Sequence, residues 1–337
     1  MSNLLLPDVQ KTTALCEDIR KRCVTGLRHL VADITPLPDN IAIAAQENLR
    51  QLDQSVVEPA LFALCANLRD AALHDDKQAF DSLRAQFSAW KFVPLTTHHL
   101  PRLRPLGQGD ALPLYDQQAK VDLLRTVLAD ECNLTTQLVA PDSETLDRCL
   151  PMIEQACITL SKTAPDWAAE TFALVREIVV AVDRNGENRA RFAGGSTFDM
   201  FGAILINPAR LKNLASLLIT IIHESAHQRL FMYHLEDPVI LNDSAAIYKS
   251  PLRQEGRPME GIYHAAFVSA REAAAGRVVL ASPAVQDLLS ADEQATIARK
   301  IVSSQRVFAE TLAVVRDQGK LTELGQKIMD DAVEIAV

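Results

Sequence analysis

The stretch "SLLITIIHESAHQRLFMYH", residues 216–234, constrains the fold more than any other. Its apolar residues surround a helical axis and leave no wide polar face, so a helix here has to be buried among other elements. A bland core helix would carry Leu or Ala throughout, yet this one sets His223, Glu224 and His227 at its centre. The pair Asn207-Pro208 ahead of it ends a strand and opens the helix.

Composition agrees with a helical protein. Hydrophobic residues make up 48% of the 337, aromatic residues only 5%, and Ala and Leu abound, which favours helices over a β-sandwich. The net charge of −9, with no run of Lys and Arg, argues against nucleic acid as a partner. The six cysteines (Cys16, Cys23, Cys65, Cys132, Cys149, Cys157) form no CxxC pair and read as reduced core thiols. "MSNLLLPDVQKTT" lacks the charge and apolar run of a signal peptide, and "LASLLITII" is too short to span a bilayer. The expectation is a cytoplasmic protein with no membrane association.

Helical spacing of apolar positions covers 8–32, 40–74 and 77–90, then 117–131, 143–163 and 165–182. Between them, residues 92–116 hold four prolines and two glycines and read as a long irregular connection, with His98 and His99 as a solvated pair. "FAGGSTFDMFGAILINP" suggests one or two short strands, the second near 201–206. Residues 236–261 read as a loop, and 262–276 and 281–335 as helices. The expected fold is mainly α with a small β-sheet: a zincin-like HExxH helix beside short strands, and a helical N-terminal half. The expected division is a helical region over 1–115 and a metal-binding catalytic region over 116–337.

Residues four apart on a helix lie one above the other, so His223 and His227 can aim both imidazoles at one ion. Glu224, one step round, reaches a water on that ion or orients a ligand. This is the HExxH arrangement, two ligands and a general base. A third ligand is needed. His234 lies seven residues on, roughly 10 Å along the axis, and reads as a helix-end histidine too far from the same ion. His264, which opens a later helix, is the better candidate, and Glu272, Asp243 and Glu260 are the carboxylate alternatives.

"HESAHQRLF" followed by "YKSPLRQEGRPMEGIYHAAFVSA" resembles the HExxH-motif proteins of peptide-modification gene neighbourhoods, over roughly residues 195–275. In that family an HExxH helix precedes a Ser-Pro-x-Arg…Arg-Pro segment and a Gly-x-x-His helix start. Its members are understood as Fe(II)- and 2-oxoglutarate-dependent oxygenases that hydroxylate a β-carbon in ribosomal precursor peptides. The resemblance implies His223, His227 and His264 as iron ligands and Arg253 and Arg257 as the arginines of the loop. Leu252 departs from the family, where an aromatic residue is common.

Three imidazoles would leave three positions on a six-coordinate iron, two for the keto acid of 2-oxoglutarate and one for dioxygen. The distal carboxylate of that cosubstrate suits a guanidinium fork, from Arg253, Arg257 or Arg271. Glu224 would then orient a ligand or water. The strand "FGAILIN", as a sheet edge, could pair with an extended substrate peptide or serve as an ordinary buried strand. The main alternative is a zinc (Zn) hydrolase with the same histidines and Glu224 as general base. A scaffold in which a metal only joins helices stands third, because a structural zinc would close with a fourth protein ligand.

Overall fold

A computed structural model describes residues 3–33, 39–52, 57–92, 100–106, 138–183, 192–211, 213–252 and 256–336. They fall into two compact units, each discontinuous in sequence. The sheet unit comprises Ala14–Leu146 and Val175–Arg210; the motif unit comprises Met1–Thr13, Asp147–Leu174 and Leu211–Val337. The division expected near residue 115 lies outside the described residues.

The sheet unit is built on helices α1 (Val9–Arg28), α2 (Asp39–Leu52), α3 (Pro59–Leu73) and α4 (Lys77–Ser88) and on six short strands. The single helix expected over 40–74 is two, because Pro59 starts a new helix at its first turn. Strands β1 (Arg102–Pro105), β3 (Glu177–Val180), β6 (Ala203–Ile206) and β5 (Gly194–Gly195) lie side by side in that order. The first three run parallel, with Leu103 opposite Ile178 and Ile178 opposite Ile204; β5 is antiparallel to β6. A separate two-strand ribbon joins β2 (Leu138–Val139) to β4 (Val182–Asp183).

Three expectations change here. Residues 165–182 are not one helix, since α6 (Pro165–Leu174) ends before β3. "EIVV" and "AILI" are buried at every position, and such strands carry the same unbroken apolar run as a buried helix. The irregular 92–116 stretch contributes β1, whose four-residue Arg-Leu-Arg-Pro alternation is too short among prolines to mark a strand, and whose backbone pairs with β3. Strand β6 is interior, paired on both sides, so it offers no edge to a peptide. The core of this unit gathers Leu27, Leu61, Leu64, Phe87, Val179 and Leu205.

The motif unit holds the rest of α5 (Ser143–Thr163), with α6, α7 (Leu214–Tyr233), α8 (Met259–Ala281), α9 (Val285–Leu288), α10 (Ala291–Gln318) and α11 (Glu323–Ala336). Helix α7 starts with a reciprocal cap. Asn213 Oδ1 accepts from the Ser216 amide at 2.9 Å, and Ser216 Oγ accepts from the Asn213 amide at 3.2 Å. Most of α7 is buried, as its all-round apolar sequence requires. Helix α8 is Ala-rich and equally buried. Gly276 lets α10 approach it, for a Cβ there would lie 2.8 Å from Ile301 Cγ1. The helix expected over 281–335 is three, α9 to α11, separated at Leu289-Ser290 and at Gly319. Ile222, Leu230, Phe267, Val279 and Phe308 are part of the core that joins these helices.

The five described cysteines are free, and all but Cys65 are buried, in keeping with reduced core thiols; Cys132 lies outside the described residues. Among those residues no helix is long and apolar enough to cross a membrane.

Candidate functional site

Helix α7 sets His223 and His227 one turn apart with ring centroids 5.0 Å from each other. Two imidazoles binding one ion at about 2.1 Å hold their centroids roughly 5 Å apart. His223 does not stand alone. Its Nδ1 lies 3.0 Å from Glu272 Oε1 on α8, and the other oxygen of Glu272 accepts from Ser304 Oγ at 2.9 Å and from Lys300 Nζ, 3.1 Å away, both on α10. A carboxylate at Nδ1 keeps the proton on that nitrogen and leaves the Nε2 lone pair for a ligand. Burial alone would depress the His223 pKa; Glu272 overrides it and holds the ring above its ordinary value. Burial would likewise raise the Glu272 carboxyl, and His223 and Lys300 hold it low. Glu272, named from the sequence as a possible ligand, thus sits behind the histidine. An apolar crevice lined by Leu218, Ile222, Val279, Ile297 and Ile301 runs up to Glu272 and Lys300.

The His227 ring lies between those of His223 and His264, with a centroid distance of 5.6 Å to His264. Burial first, then the His223, His264 and Arg257 charges, take its pKa well below the imidazole value. Neutral imidazole is the ligating form. His264, with 14% of its side chain exposed, packs on Phe231 at 5.8 Å and on His234 at 5.5 Å. Burial, His234 and Arg257 push its pKa down to about 3. Glu224 is buried in α7, and its charge acts on His223.

The three arginines named from the sequence part company. Arg253 lies outside the described residues. Arg257 exchanges backbone hydrogen bonds with Tyr248, and its guanidinium packs on Gly261, where a Cβ would come within 3.0 Å. Its charge reaches both His227 and His264. Arg271 has to be corrected as a cosubstrate ligand. Its guanidinium donates to Glu170 and to the Leu5 carbonyl and stacks on Trp167, with 2% of the side chain exposed. Glu170 also pairs with Arg229, so Arg271 belongs to a closed buried cluster. Asp243 is likewise taken up locally, its Oδ1 accepting from the Ala245 amide. His98 and His99 lie outside the described residues.

The donors fit an ion in kind: two neutral-capable imidazoles one turn apart, one fixed by a carboxylate, and a third imidazole next to them. They do not form a closed set as they stand, because among the described residues no three His, Cys, Asp or Glu side chains converge to hold a metal. The third imidazole is that of His264, whose Nε2 has no hydrogen-bond partner among the described residues and lies 3.9 Å from Glu260. Lys300 and Ser304 carry no signal in the sequence beyond a four-residue spacing along α10. No protein-family model and no curated protein matches the chain.

Proposed function

We propose that the protein is a non-haem Fe(II)- and 2-oxoglutarate-dependent dioxygenase that hydroxylates a side-chain carbon of a ribosomally made peptide. His223 and His227 would hold the iron, with His264 turned toward them as the third donor. The observation that carries the reading beyond a bare metal site is Arg257, a guanidinium whose charge is felt at both His227 and His264. A guanidinium fork there suits the distal carboxylate of a keto acid. Iron with its cosubstrate and dioxygen, when bound, supplies the oxidising power for C–H hydroxylation.

The chain's own work is to hold and orient. Glu272, fixed by Lys300 and Ser304, fixes the His223 ring and its proton at Nδ1. Burial keeps His227 and His264 unprotonated at neutral pH, so their lone pairs stay available. Arg257, steadied by its backbone pairing to Tyr248, orients the anionic end of the cosubstrate. The resemblance of residues 195–275 to the peptide-modification proteins supports the substrate class.

The second reading is a zinc hydrolase, favoured by the closeness of Glu224 to His223, which suits a general base. The test is succinate release from anaerobically iron-loaded protein given 2-oxoglutarate, oxygen and candidate precursor peptides. Succinate that is lost in His223→Ala, and that needs more cosubstrate in Arg257→Ala, is the expected outcome. Turnover no greater than in the His223→Ala control would sink the oxygenase. Peptide cleavage abolished by Glu224→Gln would establish the hydrolase in its place.

A further inference from the structure

Seven buried side-chain polar atoms lack a hydrogen-bond partner among the described residues, and two of them are imidazole nitrogens of neighbouring rings. They are Nε2 of His234 and Nε2 of His264, and the ring centroids are 5.5 Å apart. A buried unpaired nitrogen is costly, and two together ask for an explanation. The centroid spacing is close to the roughly 5 Å expected when two imidazoles share an ion at about 2.1 Å.

The direction of His264 matters as much as its position. His223 of α7 meets Glu272 of α8, whereas His234, capping the C-terminus of α7, meets His264. The two helices therefore run antiparallel. His264 Nε2 is 3.9 Å from Glu260 Oε1, one turn toward the start of α8, so it points toward the His234 end and away from His223. Glu260 is exposed over 62% of its side chain and can swing onto an ion. Asp237, the other carboxylate acting on His234, is occupied, since its Oδ1 accepts from the Val239 amide and from Thr322 Oγ1, each at 2.6 Å.

We infer that His234, His264 and Glu260 form a second divalent-metal position, further along α7 from the His223–His227 pair. Two imidazoles and one carboxylate are the donors of zinc and first-row transition-metal sites, with further positions left to water. The Glu260 carboxylate has to close in, because the three donors do not converge as they stand. This position shares His264 with the proposed oxygenase centre and stands without it; an ion here leaves His223 and His227 to bind another as a pair.

Titration of the metal-free protein with Co(II), followed by the visible d–d absorption and by calorimetry, tests the inference. The wild type should show two binding events. His234→Ala should lose one and keep the other, Glu260→Gln should weaken that same event by tenfold or more, and His223→Ala should lose only the remaining event. A single event untouched by His234→Ala and Glu260→Gln, in protein with unchanged circular dichroism, overturns the second position. A single event lost in His234→Ala but kept in His223→Ala supports it while removing the HExxH centre, so the two failures are distinguishable.

Discussion

Replacing Glu272 with alanine separates a group behind a ligand from a ligand. Glu272 accepts from His223 Nδ1 at 3.0 Å and is itself fixed by Ser304 and Lys300. Alanine frees the His223 ring to rotate and removes the carboxylate that sets its tautomer. Losing such a partner typically weakens metal affinity about 10–100-fold, or about 1.4–2.7 kcal/mol. Glu272→Gln keeps a carbonyl for Nδ1–H but turns an NH₂ toward Lys300, which can only donate. Its loss should fall near the lower bound, about tenfold. Competition between metal-free protein and a chromophoric chelator for Co(II) or Zn(II) measures this, with urea denaturation checking that each variant stays folded. Unchanged affinity in Glu272→Ala would take His223 out of the ligand set. A fall on the order of 10⁴-fold, beyond the range for an outer partner, would make Glu272 a direct ligand and refute the placement argued above.

Two further outcomes bear on stability. Glu170→Ala strands Arg229 and Arg271, each at most 2% exposed, and should cost about 3–5 kcal/mol in urea denaturation; a loss under about 1 kcal/mol would contradict the buried cluster. His264 is held near pKa 3 against an ordinary 6.5, so below pH 6.5 the unfolded chain takes up a proton that the native state refuses. Stability therefore falls as pH drops, by about 2 kcal/mol from this group between pH 7 and pH 5. In metal-free protein, His264→Gln should show that much less pH dependence, and an unchanged slope would mean that the ring titrates normally.

Helix α7 is legible in the sequence through its apolar run and its pair of histidines, which are local signals, although it starts at the Asn213 cap and not at Asn207-Pro208. What was not legible is which distant residue each polar group meets. His234 was set aside on its distance along α7 from His223 and His227, and that distance is right. His234 is the C-cap of α7, as that distance implies, and what the sequence does not show is that antiparallel α8 brings His264 level with it. Arg271 shares a face with His264, but α8 is buried at every position from Ala266 to Gly276, so sharing a face does not mean sharing a pocket. Strands β3 and β6 lacked alternation for the same reason: burial on both faces erases the period that would identify them.

The consecutive residues Arg271 and Glu272 show how burial separates structure from chemistry within one helix. They project about 100° apart around α8, and neither pairs with the other. Arg271 enters a cluster with Glu170 and Arg229 in which all three side chains are at most 2% exposed. No ligand reaches those groups without opening the core, and a buried ion pair of this kind is poor evidence for function. Glu272 is nearly as buried, at 4% exposed, yet its partner His223 is 38% exposed and carries the Nε2 of an HExxH pair toward solvent. A carboxylate whose hydrogen bond ends on a solvent-facing imidazole transmits its position to whatever binds there. Substitution of Glu170 should accordingly move stability and spare metal affinity, while substitution of Glu272 does the reverse. If both variants lost metal and stability in equal proportion, the two clusters would be one cooperative unit, and exposure would not be the property that assigns their roles.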